Sequence, residues 1–159
     1  MNASLVVRAE TALAMQALGE RLGRMLRAGD VVSLVGPLGA GKTTFVQGVA
    51  RGTGVPPERH VASPTFALVN EHPGRVPLVH ADLYRIASPA ELEELGLDDA
   101  FDRAAVAIEW LDRFPDAAPA DRLELTIAIE PDATRRLTFT GAGPRGEALV
   151  LTLAAVAYR

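Results

Sequence analysis

One stretch of this chain restricts its possible folds more than any other. Residues 36–43 read GPLGAGKT and follow the apolar run 31–35, VVSLV. The stretch matches the pattern G-x-x-x-x-G-K-[ST], which joins a strand to a helix and binds phosphate groups. Its glycines let backbone N–H groups approach phosphate oxygens, its lysine adds positive charge, and its threonine hydroxyl is a ligand for Mg²⁺. We therefore expect a phosphate-binding loop (P-loop) between a strand and a helix.

The lysine of this motif is unusual within the chain. Lys42 is the only lysine, whereas the other fifteen basic residues are all arginine. The lysine ammonium is a compact point charge, which suits contact with a phosphate. The presence of the only lysine at this position therefore favours a P-loop that binds phosphate. The residues predicted to hold the nucleotide are Gly36, Pro37, Leu38, Gly39, Ala40, Gly41, Lys42, Thr43 and Thr44.

The composition suits a single globular domain over residues 1–159, with 48% hydrophobic and 5% aromatic residues. The absence of cysteine excludes disulfides and thiolate metal sites. A formal charge of −4 argues against a broad positive surface, so we expect any RNA to be contacted indirectly, through a partner protein. Because no signal-peptide pattern or membrane-length apolar run is present, we expect a cytoplasmic location and no membrane contact.

Hydrophobic periodicity and capping signals predict alternating strands and helices. The predicted strands cover residues 5–8, 31–35, 76–82, 104–109, 122–130 and 135–140, with another between Pro64 and His72. The predicted helices run from Thr11 to near Gly29, from Lys42 to Arg51, from Ser88 to near Gly96, around 98–103 and over 147–157. In the first helix we expect Ala14, Leu18, Leu22 and Met25 to face the core.

Two of the predicted strands end in a carboxylate. The run 76–82 ends in Asp82 and the run 104–109 ends in Glu109. A carboxylate at the C-terminal end of a strand beside the P-loop strand can hold Mg²⁺ directly or through water. Polar residues often end strands, so either acid alone would be weak support. Together they predict a metal site made of Thr43, Asp82 and Glu109, without deciding which acid ligates directly.

Two features have more than one interpretation. The hydroxyls of the segment that begins Ser63-Pro64-Thr65 could serve turns and caps, or Thr65 could lie in a switch-like loop beside the terminal phosphate. Trp110, which directly follows Glu109, could be ordinary buried packing or could contact the nucleotide or a partner.

Several segments together resemble the bacterial tRNA threonylcarbamoyladenosine biosynthesis ATPase family, the small E-subunit type, over nearly the entire chain. They are PLGAGKTTF at 37–45, SPTF at 63–66 with Leu68, Val69 and Glu71, HADLYR at 80–85, Glu91-Leu92 with Leu95-Gly96, and IEW at 108–110. The P-loop is shared with many other nucleotide-binding proteins, whereas the other segments are specific to this family. The chain departs from the family at Pro37, where an acid is usual, and at His72, where tyrosine is usual.

The resemblance implies a three-layer P-loop fold of the α/β class, with a central parallel sheet extended by antiparallel strands. It also implies binding of ATP and Mg²⁺, slow hydrolysis by the isolated chain, and catalytic roles for Lys42, Asp82 and Glu109. Thr11 and Arg135 are expected to border the nucleotide, although a helix cap and a surface arginine are equally good interpretations. The implied partners are the other proteins that transfer threonylcarbamoyl to N6 of adenosine 37 in tRNAs that read A-starting codons.

Three other functional classes share some of these features. A GTPase requires the guanine motif N-K-x-D, which a chain with its sole lysine in the P-loop lacks. A small-molecule phosphotransferase would share the P-loop but needs an acceptor pocket and commonly an arginine-rich lid. The pair Arg135-Arg136 gives only weak support for such a lid. A non-catalytic module, in which ATP only orders a binding surface, remains compatible with the sequence.

Overall fold

The computed structural model describes residues 3–64 and 68–157. The strands are β1 (Ser4–Ala9), β2 (Val31–Val35), β3 (Val69–His72), β4 (Leu78–Asp82), β5 (Ala105–Glu109), β6 (Arg122–Ile129) and β7 (Arg135–Ala142). The helices are α1 (Ala12–Met25), α2 (Lys42–Thr53), α3 (Pro89–Glu94), α4 (Leu97–Arg103) and α5 (Gly143–Val156), with short 3-10 turns at Leu111–Arg113 and Pro115–Ala117.

The strands form one sheet in the order β1-β7-β6-β2-β5-β4-β3. The four central strands β6, β2, β5 and β4 are parallel, while β1 and β7 extend one side and β3 the other side in antiparallel pairing. This architecture confirms the predicted α/β fold with a parallel centre and antiparallel extensions.

The sheet separates two hydrophobic cores, because alternate residues of a strand point to opposite faces. Val32 and Leu34 of β2 join the core under α1, α2 and α5. Val31 of the same strand joins the core under α3 and α4. A strand covered on both faces is expected to be mostly apolar, which explains why four of the five residues of β2 are apolar and why Ser33 is buried among them. Full burial of each large aliphatic side chain contributes about 1.5–3 kcal/mol to stability.

Helix α1 differs from its prediction in length and in orientation. It ends at Met25 rather than near Gly29. Arginine side chains from remote parts of the sequence donate hydrogen bonds to the last carbonyl groups of the helix. Arg75 donates to the carbonyls of Gly23 and Leu26, and Arg145 donates to that of Met25.

The inward face of α1 was also predicted incorrectly in part. Ala14 is exposed and Met25 only partly buried, whereas Met15, Leu18 and Leu22 are buried. The face is set by close contact with α2, in which Gly19 and Gly23 of α1 take part, and small residues of this kind carry no hydrophobic signal.

The structure also gives the order of the acid-bearing strands, which the sequence left open. β5, which ends in Glu109, pairs directly with the P-loop strand β2, whereas β4, which ends in Asp82, lies one strand further out. The strand beside the P-loop strand is therefore the one that carries Glu109. The local pattern of an apolar run ending in an acid is the same for both strands, so it cannot give their order.

No helix among the described residues combines the length and apolar character that crossing a bilayer requires.

Helices α1 and α2 pack at very short range through glycines. An added Cβ on Gly48 of α2 would overlap the backbone carbonyl of Gln16, and one on Gly19 of α1 would overlap that of Phe45. Gly23 and Gly52 meet the opposite helix in the same way. Because α2 begins at the P-loop, this contact fixes where the start of α1 lies relative to the loop.

We predict that Gly48→Ala lowers the free energy of unfolding by about 1–3 kcal/mol, because the new methyl group must displace backbone. Helix propensity alone would give the opposite sign, a gain of about 1 kcal/mol for Gly→Ala. Urea unfolding of the nucleotide-free chain measures the change. Ala17→Gly, at an exposed position of α1, is the control and should cost about 1 kcal/mol. A Gly48→Ala chain as stable as the parent would contradict the close packing.

Candidate functional site

The P-loop spans the space between the end of β2 and the start of α2. Gly39 and Gly41 have φ angles of +80° and +109°, in the left-handed region that suits glycine. Gly41 is the N-cap of α2, so the unpaired N–H groups of the first helical turn point out of the loop end. A Cβ added to Gly39 would meet no protein atom within 4 Å. The loop therefore offers N–H groups and open space to an anion.

Lys42 lies folded over this loop. Its ammonium donates to the carbonyl oxygens of Gly36 and Pro37, the latter at 3.2 Å, and lies 3.9 Å from the centre of the Trp110 ring. The side chain is 5% exposed. Burial lowers the pKa of Lys42 from its ordinary value, while the carboxylates of Glu109, Asp82 and Asp112 oppose that shift.

The two strand-end acids lie side by side, since Asp82 of β4 pairs in register with Glu109 of β5. Glu109 Oε2 accepts a hydrogen bond from Thr43 Oγ1 at 3.4 Å and lies 2.6 Å from His80 Nε2. Asp82 Oδ2 accepts from Ser63 Oγ at 3.0 Å, and its Oδ1 accepts from the Tyr84 N–H at 2.9 Å.

A cleft of about 420 Å³ brings these groups together. Its lining combines the P-loop and the start of α2 (38–44) with Ser63, Asp82, Tyr84, Arg85, Glu109 and Trp110. Thr43, Asp82 and Glu109 present a hydroxyl and two carboxylates, the hard oxygen donors that suit Mg²⁺. Within residues 3–64 and 68–157, no three His, Cys, Asp or Glu side chains converge as a metal-binding group. The donor set fits Mg²⁺, which needs only one or two carboxylates and keeps several waters.

A second, smaller cleft of about 190 Å³ lies against the same loop. Thr11, Arg135, Met15 and Thr44 line it together with residues 39–41. Thr11 caps α1 by accepting from the Ala14 N–H at 3.0 Å, so it is both a helix cap and a cleft residue. Arg135 Nε donates to the Ala40 carbonyl at 3.0 Å, which ties the start of β7 to the P-loop.

Some predicted residues lie elsewhere. Gly36 and Pro37 give their carbonyls to Lys42 and line neither cleft, although both belong to the motif. Thr65, the candidate switch residue, falls outside the described residues. Trp110 is half-buried with φ +66°, and its ring lies 5.1 Å from that of Tyr84, so it lines the cleft rather than the hydrophobic interior alone.

The family departure at His72 lies away from both clefts. Its ring is 3% exposed, and its Nδ1 accepts from Arg59 Nε at 3.0 Å. Burial lowers the pKa of His72, and the positive charge of Arg59 lowers it further. His72 therefore holds the 54–64 segment against β3.

Sequence reasoning did not assign site roles to His80 and Ser63. His80 is fully buried and holds Glu109, while the Ser63 hydroxyl holds Asp82. The available signal for His80 was a polar residue inside an otherwise apolar strand, two positions before Asp82 and therefore on the same face of the sheet. Ser63 gave no such signal, because its contact depends on how the 54–64 segment folds over β4.

Comparisons with known proteins agree on one family. A family model described as threonylcarbamoyl adenosine biosynthesis protein TsaE matches residues 9–137. The tRNA threonylcarbamoyladenosine biosynthesis protein TsaE of Streptomyces coelicolor is 41% identical, over 82% of this chain and 93% of that protein. TsaE of Bacillus subtilis is 40% identical, over 84% of each chain. The crystal structure of Bacillus subtilis YdiB superposes with a TM-score of 0.84 at 33% identity, covering 98% of this chain and 97% of that one.

We predict that His80→Leu lowers the free energy of unfolding by about 1–3 kcal/mol, because the buried Glu109 carboxylate loses a donor. His80→Gln should lose less, since its amide can still donate toward Glu109. Urea unfolding at neutral pH without nucleotide gives both values.

A double-mutant cycle with Glu109→Gln tests the cause of this loss, since removing the carboxylate charge should remove most of the cost of His80→Leu. An equal cost of His80→Leu with and without Glu109→Gln would show that the histidine stabilises the chain by packing alone.

Proposed function

This chain belongs to the TsaE family of threonylcarbamoyl adenosine biosynthesis proteins, and we propose that it binds ATP with Mg²⁺ and supports threonylcarbamoyl transfer to tRNA. The observation that carries the proposal is the cleft in which the P-loop, Thr43, Asp82 and Glu109 meet at one end of the parallel sheet. In open α/β sheets, ligands bind outside the C-terminal ends of the strands, where this cleft lies.

The triphosphate is assigned to the loop and the first turn of α2. Backbone N–H groups of 36–42 and the hydroxyls of Thr43 and Thr44 are the donors, and the dipole of α2 adds positive potential. Lys42 leaves its carbonyl partners to pair with phosphate oxygens. The smaller cleft between Thr11 and Arg135 takes the part of the nucleotide beyond the phosphates, because it continues from the same loop residues.

Mg²⁺, when bound, offsets the negative charge that develops on the phosphates during transfer. Thr43, Glu109 and Asp82 are the residues that would hold it. The hydrogen bonds of Glu109 with Thr43 and His80 both involve Oε2. In Asp82, by contrast, both carboxylate oxygens accept hydrogen bonds from the protein. Glu109 is therefore proposed as the more direct ligand, and Asp82 acts through water.

Hydrolysis by the isolated chain is proposed to be slow, and the hydrolytic step serves the turnover of partner proteins. Those partners are the other threonylcarbamoyl-transfer proteins, and the product is the modified N6 of adenosine 37 in tRNAs that read A-starting codons. The net charge of −4 supports an indirect role toward tRNA. We do not propose a small-molecule phosphotransferase, because Arg135 is hydrogen-bonded to the P-loop carbonyl of Ala40 rather than placed on a lid.

We predict that Lys42→Ala and Thr43→Ala each weaken ATP binding in the presence of Mg²⁺ by about tenfold or more, which corresponds to about 1.4 kcal/mol. Fluorescence of Trp110, the sole tryptophan, or equilibrium dialysis measures the affinity. Thr152→Ala, exposed on α5, is the matched control. Chelating Mg²⁺ should weaken binding to the parent more than to Thr43→Ala. Unchanged affinity in both P-loop variants would refute the proposed site.

We further predict that Glu109→Gln abolishes repeated turnover in a reconstituted tRNA modification assay, because it removes the proposed metal ligand while keeping its shape. The assay contains the other threonylcarbamoyl-transfer proteins, tRNA and ATP, with modified adenosine counted per partner complex.

The ATPase rate with and without the partner proteins separates two outcomes of this assay. Stimulation by the partners supports an enzyme, whereas a flat rate with intact ATP binding would indicate a non-catalytic module. Full modification with Glu109→Gln, or without this chain, would contradict the proposal.

A further inference from the structure

A groove of about 550 Å³ opens on the face of the sheet covered by α3 and α4. We call it the acidic groove. Its floor is apolar and buried, and the half-buried rings of Phe101 and Phe114 flank it. The floor residues are Leu92, Leu97, Ile108 and Leu111. Glu93, Asp98 and Asp116, all exposed, lie along its rim.

The negative charge of the chain is concentrated in the α3–α4 segment, whose Glu93 and Asp98 line the groove. The α3–α4 segment, residues 89–103, contains six carboxylates and one arginine, a formal charge of −5. The whole chain carries −4, so all remaining residues together carry +1. The charged lining consists of three carboxylates and Arg113, so it is negative overall. An apolar floor with a negative rim is complementary to an apolar stripe flanked by positive charge.

We propose that the acidic groove binds a cationic amphipathic helix of a partner protein. An amphipathic helix placed in a groove inserts apolar side chains spaced at i, i+3, i+4 and i+7. Arginine or lysine beside that stripe would meet the exposed carboxylates of Glu93, Asp98 and Asp116. The carboxylates repel nucleic acid phosphates, which selects a protein over tRNA as the occupant. The inference rests on the proposed function in one respect, namely that this chain works with partner proteins.

Hydrogen bonds of Arg113 link the groove to the cleft beside the P-loop, which is the proposed nucleotide site. Arg113 lines the groove and donates to the carbonyls of Leu83 and Tyr84, at 2.8 and 2.6 Å, in the segment that directly follows Asp82. Its guanidinium also lies 5.4 Å from the Phe114 ring centre. A helix seated against Phe114 therefore contacts a side chain that holds the backbone beside the proposed metal site.

The test uses a synthetic peptide of about 16 residues, without tryptophan, with leucine at helical i, i+3, i+4 and i+7 spacing and arginine at most other positions. We expect saturable binding, seen by anisotropy of a labelled peptide and by a change in Trp110 emission. Glu93→Gln/Asp116→Asn should weaken binding about tenfold, and added salt should weaken it further.

Four controls make the result specific. The variant Glu58→Gln/Asp132→Asn removes the same charge at exposed positions elsewhere and should bind the peptide within about twofold of the parent. A scrambled peptide of equal composition, and one with glutamate in place of arginine, should bind at least about tenfold more weakly. ATP affinity of Glu93→Gln/Asp116→Asn should not change, so failure of this proposal is separable from failure of the nucleotide site.

Equal binding of the scrambled peptide, or equal loss in both charge variants, would show attraction to net charge only and would overturn the proposal. So would self-association of the chain that Glu93→Gln/Asp116→Asn abolishes, since a second copy would then occupy the groove. Binding of small apolar molecules without any peptide binding would likewise overturn it.

Discussion

The parallel pairing of β2, β5 and β4 determines where the chemistry of this chain can occur. Glu109 is opposite Leu34 of the P-loop strand on one side and opposite Asp82 on the other. Because parallel strands end at the same edge of a sheet, this register sets both carboxylates beside the start of α2. A shift of one residue in β5 would turn Glu109 to the opposite face of the sheet, away from Thr43.

Several buried polar side chains lie together at this edge of the sheet. Lys42, His80, Asp82 and Glu109 are all buried, and burial of charge is costly unless it is paired. The contacts of Glu109 with His80 and Thr43 and of Asp82 with Ser63 supply that pairing. Lys42 donates to the Gly36 and Pro37 carbonyls, and burial lowers its pKa while the nearby carboxylates oppose that shift. A buried ammonium placed to bind an anion lowers the folding stability of the chain while it favours anion binding.

Whether the sequence predicts a feature depends on how far apart along the chain the interacting residues lie. The P-loop between β2 and α2 and the Thr11 cap of α1 depend on residues within a few positions, and both are found where the local pattern indicates them. The neighbour of β2, the burial of Met15 in place of Ala14, and the pairing of His80 with Glu109 all depend on contacts remote in sequence. Local patterns are the same for the alternatives, so only the packed chain distinguishes them.

Consecutive residues at the end of β5 serve two different surfaces. Ile108 and Leu111 line the acidic groove, while Glu109 and Trp110 line the cleft beside the P-loop. An occupant of either surface therefore constrains the same four residues, and Arg113 extends the constraint to the backbone after Asp82. Coupling between two binding sites is reciprocal, so a helix that favours the nucleotide-bound arrangement must itself bind more tightly when the nucleotide is present.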